Sequence, residues 1–128
     1  MKEHTYEEKE FIDTVRKLLS CRKAVCEEFV EISICEFSES ESLYDLLKWE
    51  IPGALADLIE ETGWSVEEYY FRSVEQPYPD YLFVLSRGNE KRTLGVYIDV
   101  DYEAGLITIQ RMEIMRGVPS ESMLAYYV

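Results

Sequence analysis

Asp99, Asp101 and Glu103 are the carboxylates whose spacing comes nearest to chemistry. Alternate positions of a strand put Asp99 and Asp101 on one side. Two carboxylates there could hold Mg²⁺ or Ca²⁺, or share a proton. The spacing also fits the opening of a calcium-binding loop, but the fit then fails. Ala104 stands where that loop needs glycine, and Gln110 where it needs a closing bidentate glutamate. The plainer reading is a solvated strand face that runs into a turn and pairs with Arg87 or Arg111 across a sheet.

Other catalytic chemistries lack their parts. A nucleophile needs a neighbouring base, and the one histidine, His4, lies near the N-terminus in a segment expected to fray. The six glycines are isolated, so no glycine loop cradles a phosphate. Cys21, Cys26 and Cys35 are odd in number and irregular in spacing, which is not a disulfide framework. With a single histidine they also make a poor zinc set. They read as reduced cysteines acting as small hydrophobes. No metal ligand set, cofactor motif or catalytic residue is assigned.

Charge is the more informative property. The net charge is −13, and thirteen acids against one base, Lys48, lie between Ala24 and Phe71. Such a field repels phosphate backbones, so direct nucleic-acid binding is not expected. It attracts a basic protein surface. Glu27, Glu28, Glu31, Glu60 and Glu61 are the acids nominated for such a partner. Tyr97, Asp99 and Asp101 are added because Tyr97 falls on the face opposite an apolar row, where a large ring marks sheet packing, a homodimer contact or a pocket wall.

The elements that position these residues follow from periodicity. Thr5 and Glu8 form a capping box, with acids first and bases later, as a helix dipole favours. Phe11, Val15, Leu18, Leu19, Val25, Cys26, Phe29 and Val30 recur at helical spacing. One long helix is expected from about Thr5 into the thirties. Val30, Ile32 and Ile34 also alternate as a strand would, but the continuing helix is preferred. Beyond the Ser38–Ser42 break, a short helix Leu43–Trp49 is expected, then a second from Pro52 to Thr62, stopped by Gly63. Ser65 and Glu68 read as a capping box for a helical turn or as the lead-in to a strand through Tyr69 and Phe71.

Past Pro77 and Pro79 the pattern turns to strands at Tyr81–Arg87, Thr93–Asp101 and Leu106–Met115, joined by Gly88-Asn89-Glu90 and Tyr102-Glu103-Ala104-Gly105. The apolar C-terminus, Met123 to Val128, is expected to dock on the body or add an edge strand.

The fold class read from this is α+β in one domain, residues 1–128: a helical N-terminal half packed against a C-terminal antiparallel β-meander. No apolar run reaches the ~20 residues that cross a bilayer. The first residues lack a signal peptide's apolar stretch, so a cytoplasmic setting is expected. The functional reading is a non-enzymatic acidic module, such as a small inhibitor, immunity protein or adaptor, acting on a basic partner surface. Two alternatives stand beside it. One is a small-ligand or enzymatic pocket between helices and curved sheet, lined by Asp99, Asp101, Tyr97 and Trp64. The other is mimicry of a nucleic-acid backbone.

Overall fold

The computed structural model of the protein describes residues 3–72 and 77–127. Met1, Lys2 and Val128, which entered the terminal readings above, lie outside the described residues.

Helix α1 (Tyr6–Leu19) opens on the expected capping box: the Glu8 N–H donates to Thr5 Oγ1 at 3.1 Å, and the Thr5 N–H to Glu8 Oε1 at 2.9 Å. The helix then stops far short of the thirties. Ser20 caps its C-terminus, with its hydroxyl donating to the Lys17 carbonyl, and the chain continues as strand β1 (Val25–Glu36). The long-helix reading is therefore corrected. The β-branched residues Val25, Val30, Ile32 and Ile34 gain more on a pleated surface than in a helix. No glycine or proline marked the switch.

The next helical run is continuous rather than broken at Pro52. Ser42 caps α2 (Leu43–Asp45), a π-helical turn follows (Leu46–Glu50), and α3 (Ile51–Glu60) begins without a gap. A proline inside a helix cannot donate to the carbonyl four residues back and crowds it. The wider turn, in which the Ile51 N–H reaches the Leu46 carbonyl, absorbs that conflict. Trp49, at the end of the expected short helix, is 57% exposed.

Strands β2 (Ser65–Phe71), β3 (Tyr81–Arg87), β4 (Glu90–Asp101) and β5 (Leu106–Arg116) complete a five-stranded antiparallel sheet in the order β1-β5-β4-β3-β2. The three expected C-terminal strands are present. Ser65 and Glu68 lead into a strand, not a helical turn. The N-terminal half supplies the outer strand β1, so it is not purely helical, and the other outer strand, β2, begins just past the midpoint. A short helix α4 (Glu121–Leu124) precedes Tyr127, which bridges to Arg72 and donates its hydroxyl to the Pro79 carbonyl at 2.6 Å. The apolar C-terminus is thus docked on the body.

Phe11, Val15 and Leu18 of α1 and Leu55, Leu58 and Ile59 of α3 share one buried cluster with Phe83, Leu94, Val96, Ile107, Ile109 and Met112 of the sheet. Burial of this kind contributes roughly 25 cal/mol per Å² of apolar surface. No helix among the described residues is long and apolar enough to cross a membrane.

Cys21 and Cys26 are joined in a disulfide, which corrects the reduced reading. Their Cα atoms are 6.5 Å apart, within the bridging range. Cys35 is free and half-buried. The bond ties the turn between α1 and β1, and in a reducing cytoplasm the pair would stand as two thiols. Closing so short a loop is worth about 2 kcal/mol in the chain-entropy account. Reduction, or Cys21→Ser, is expected to lower the unfolding free energy by that amount and the urea midpoint by roughly 1 M. Identical curves with and without reductant would contradict it.

Candidate functional site

The sheet has two faces with different surroundings. Alternation places Leu94, Val96, Ile107, Ile109 and Met112 toward the core, and Thr93, Gly95, Tyr97, Arg111 and Glu113 on the outer face. Over β3 and β4 the outer face is covered by the 77–80 segment and the C-terminal residues. A Cβ on Gly95 would meet Pro79 Cγ at 2.6 Å, which is why glycine stands there. The Thr93 hydroxyl donates to the Gly117 carbonyl, and the Tyr78 and Tyr126 rings meet at 5.3 Å.

Between β4 and β1 the outer face is open and carries a row of polar and aromatic side chains. The pairing sets Tyr97 opposite Arg111, and Arg111 opposite Phe29. The Arg111 guanidinium lies 4.5 Å from the Tyr97 ring centre and 5.7 Å from that of Phe29, contacts that favour a cation. Its Nη2 is 3.0 Å from Glu27 Oε2 and 3.1 Å from Glu113 Oε2. The Tyr97 hydroxyl donates to Glu113 Oε1 at 3.3 Å. Burial raises its pKa to about 12, with Glu113 adding to the shift and Arg111 opposing it.

Beside this row lies a more buried pair. A bulge between Tyr97 and Ile98 breaks the β4–β5 ladder. The Ile98 N–H donates to Asp80 Oδ2 at 2.8 Å, while Asp80 Oδ1 takes Arg72 Nη2 at 2.9 Å. Burial nonetheless raises the Asp80 pKa, so desolvation outweighs the hydrogen bonds and the charge of Arg72.

The nominated residues do not form one site. Glu27 pairs with Arg111, and Glu28 with Lys17 at 2.9 Å. Glu31 is exposed at the bulge in β1. Glu60 accepts the Val66 N–H at 3.2 Å, and Glu61 meets His4 Nε2 at 2.6 Å. His4 is therefore anchored rather than frayed. β1 and β2 are opposite edges of the sheet, four strand spacings or roughly 19 Å apart. Glu60, bonded to β2, thus stands well away from the β1 acids.

Asp99 is exposed on the outer face. Asp101 accepts the N–H groups of Glu103 and Ala104 at 3.1 and 3.0 Å, which makes it the organiser of the β4–β5 turn. Neither pairs with Arg87 or Arg111 as expected: Arg111 is held by glutamates, and Arg87 lies 3.7 Å from Glu90. Trp64, proposed as a pocket wall, is buried in the core, with the Arg87 guanidinium 4.6 Å from its ring centre.

A cleft of about 430 Å³ does open between α1, α3 and β1. It is lined by Phe11, Ile34, Leu55, Leu58 and Leu106 with Cys35, not by Asp99, Asp101, Tyr97 or Trp64. Burial, then Glu41, Glu50 and Glu36, raise the Cys35 pKa. Its thiol stays protonated, the weaker state for a nucleophile.

Sequence reasoning did not nominate Glu113, Phe29, Arg72 or Asp80, and it named Arg111 only as a cross-sheet partner for Asp99 and Asp101. Arg111 and Glu113 carried a signal, being opposite charges at alternate strand positions. Comparison with protein families, curated proteins and solved structures finds no match for this chain. What the fold defines is an α+β protein built on a five-stranded antiparallel sheet.

Proposed function

We propose that the protein is a non-enzymatic, single-domain binding module that engages a basic surface on a protein partner, as a small inhibitor, immunity protein or adaptor does. The carrying observation is the charge: acids outnumber Lys and Arg by 26 to 13, and the excess is concentrated between Ala24 and Phe71. One-to-one pairing can neutralise only half of the acids. This reading takes the helices as the cover of one sheet face, which leaves the open part of the outer face, between β4 and β1, and the β1 edge for a partner. Electrostatic complementarity of this kind acts mainly on association rate and partner choice.

The test is capture from native lysate with the protein as bait, eluted in salt steps. A basic protein released at moderate salt is expected. Neutralising Glu27, Glu28, Glu31, Glu60 and Glu61 together should slow its association roughly tenfold at low salt and flatten the salt dependence. A captured partner whose association ignores both salt and these changes would overturn the reading. The cleft beside Cys35 is the observation that favours a second reading, since its volume suits a small apolar ligand. Native mass spectrometry of freshly purified protein showing a retained small molecule would support it.

A further inference from the structure

Resting on the basic-partner reading, we propose that the free edge of β1 takes an extended basic segment of the partner as a sixth strand. β1 closes one side of the sheet, and only β5 pairs with it among the described residues. The Arg116 N–H donates to the Ala24 carbonyl at 3.4 Å, and the Gly117 N–H to the Lys91 carbonyl at 2.9 Å. Antiparallel alternation then turns the N–H and C=O groups of Val25, Glu27 and Phe29 away from β5, onto the open edge. No backbone bond among the described residues satisfies them there.

The side chains beside those groups are not those of an edge that is merely protected. Native edges are blunted by short length, charged side chains, proline or bulges, and β1 is irregular only beyond Phe29. This one is twelve residues long, and it exposes Phe29 by 73% and Val25 by 55%. It carries Glu27, Glu28, Glu31 and Glu36 and no base. A second copy of β1 would bring four glutamates against four, so self-pairing is disfavoured, whereas a basic strand is matched. An added strand would set a cation opposite Glu27, with apolar residues two positions away on either side meeting Val25 and Phe29. Main-chain bonds would supply affinity, and this alternation would supply specificity.

The probe is the synthetic peptide Lys-Thr-Val-Thr-Lys-Lys-Ile-Thr-Lys, compared with the same peptide N-methylated at alternate backbone amides, which keeps the charge and removes the strand donors. The peptide should bind and slow hydrogen exchange at the amides of Val25, Glu27 and Phe29. N-methylation should weaken binding roughly tenfold. Phe29→Pro should do the same with the fold intact by circular dichroism, because proline is tolerated where the N–H faces off the edge. Equal binding of both peptides without amide protection would overturn the edge assignment and leave the charge-based reading standing. Protection that grows with protein concentration and no peptide would assign the edge to a second copy instead. Failure of the peptide to bind, together with failure to capture any basic protein, would defeat both proposals.

Discussion

Asp80→Ala is expected to destabilise the protein by about 3–5 kcal/mol, the cost of removing one partner from a buried ion pair. Asp80 and Arg72 leave 18% and 12% of their side chains exposed, and the carboxylate uses both oxygens, one for Arg72 and one for the Ile98 N–H, which lies past the last β3–β4 pair. Truncation takes the carboxylate from a desolvated guanidinium and the acceptor from a buried amide. Against a total stability of ~5–15 kcal/mol, that is a large share. Asp80→Asn should cost clearly less, because an amide oxygen can still accept from Ile98. Arg72→Met in the Asp80→Ala background should recover part of the loss, since apolar replacement of both avoids a desolvated guanidinium that has lost the Asp80 carboxylate. Urea unfolding of the four proteins checks this. Equal stability of Asp80→Ala and the native chain would show that the pair contributes nothing.

The pH behaviour of Asp80 has the opposite sign from a surface carboxylate. Its folded pKa is raised, so the protonation-linked part of its contribution is fully present below the unfolded value near 3.8 and is lost as pH rises through the folded one. Glu67, lowered chiefly by its hydrogen bond with Lys91, contributes in the other direction and loses its effect as pH falls. Asp80→Asn should therefore narrow its deficit at neutral pH relative to mild acid.

These residues show which parts of the fold were legible in the sequence. The capping box at Thr5, the stop at Gly63 and the strands from Tyr81 onward could be read, because each depends on local chemistry or on a clean alternation. β1 could not, since Val25, Cys26, Phe29 and Val30 fit a helical stripe as well as a strand, and the deciding partner, β5, lies some eighty residues away in sequence. Asp80 was invisible for a similar reason. Its role arises because β4 runs past the start of β3 at Tyr81, so the Ile98 N–H meets the Asp80 carboxylate and not a strand partner, an offset that no spacing announced. The nominated acids could be recognised as a charge excess but not as a place. Only the sheet order shows that Glu27 and Glu60 sit toward opposite edges, and that Asp101 serves a turn.

Alkali should unfold the protein cooperatively, starting near pH 10 and well before arginine titrates. Tyr81 is buried and donates its hydroxyl to the Leu47 carbonyl at 2.5 Å, and Tyr127 donates to Pro79. Burial raises the pKa of both, and that of Tyr97 to about 12. An unfolded tyrosine ionises near 10. A phenol with a raised folded pKa contributes stability that is fully present below the unfolded value and is lost as pH rises through the folded one. The window thus opens at about pH 10, and the Tyr97 share is spent by about 12. Phenolate absorbance should rise in two stages, the second from Tyr81, Tyr97 and Tyr127 together with the loss of near-ultraviolet circular dichroism. Tyr81→Phe removes one titrating group. It should lower stability at pH 7 by about 1 kcal/mol through the lost hydrogen bond, yet narrow its deficit against the native chain as pH climbs past 10. That convergence of the two curves separates a titration effect from a packing effect. A single absorbance step near pH 10 with the fold intact would show that the three phenols are not held back by burial.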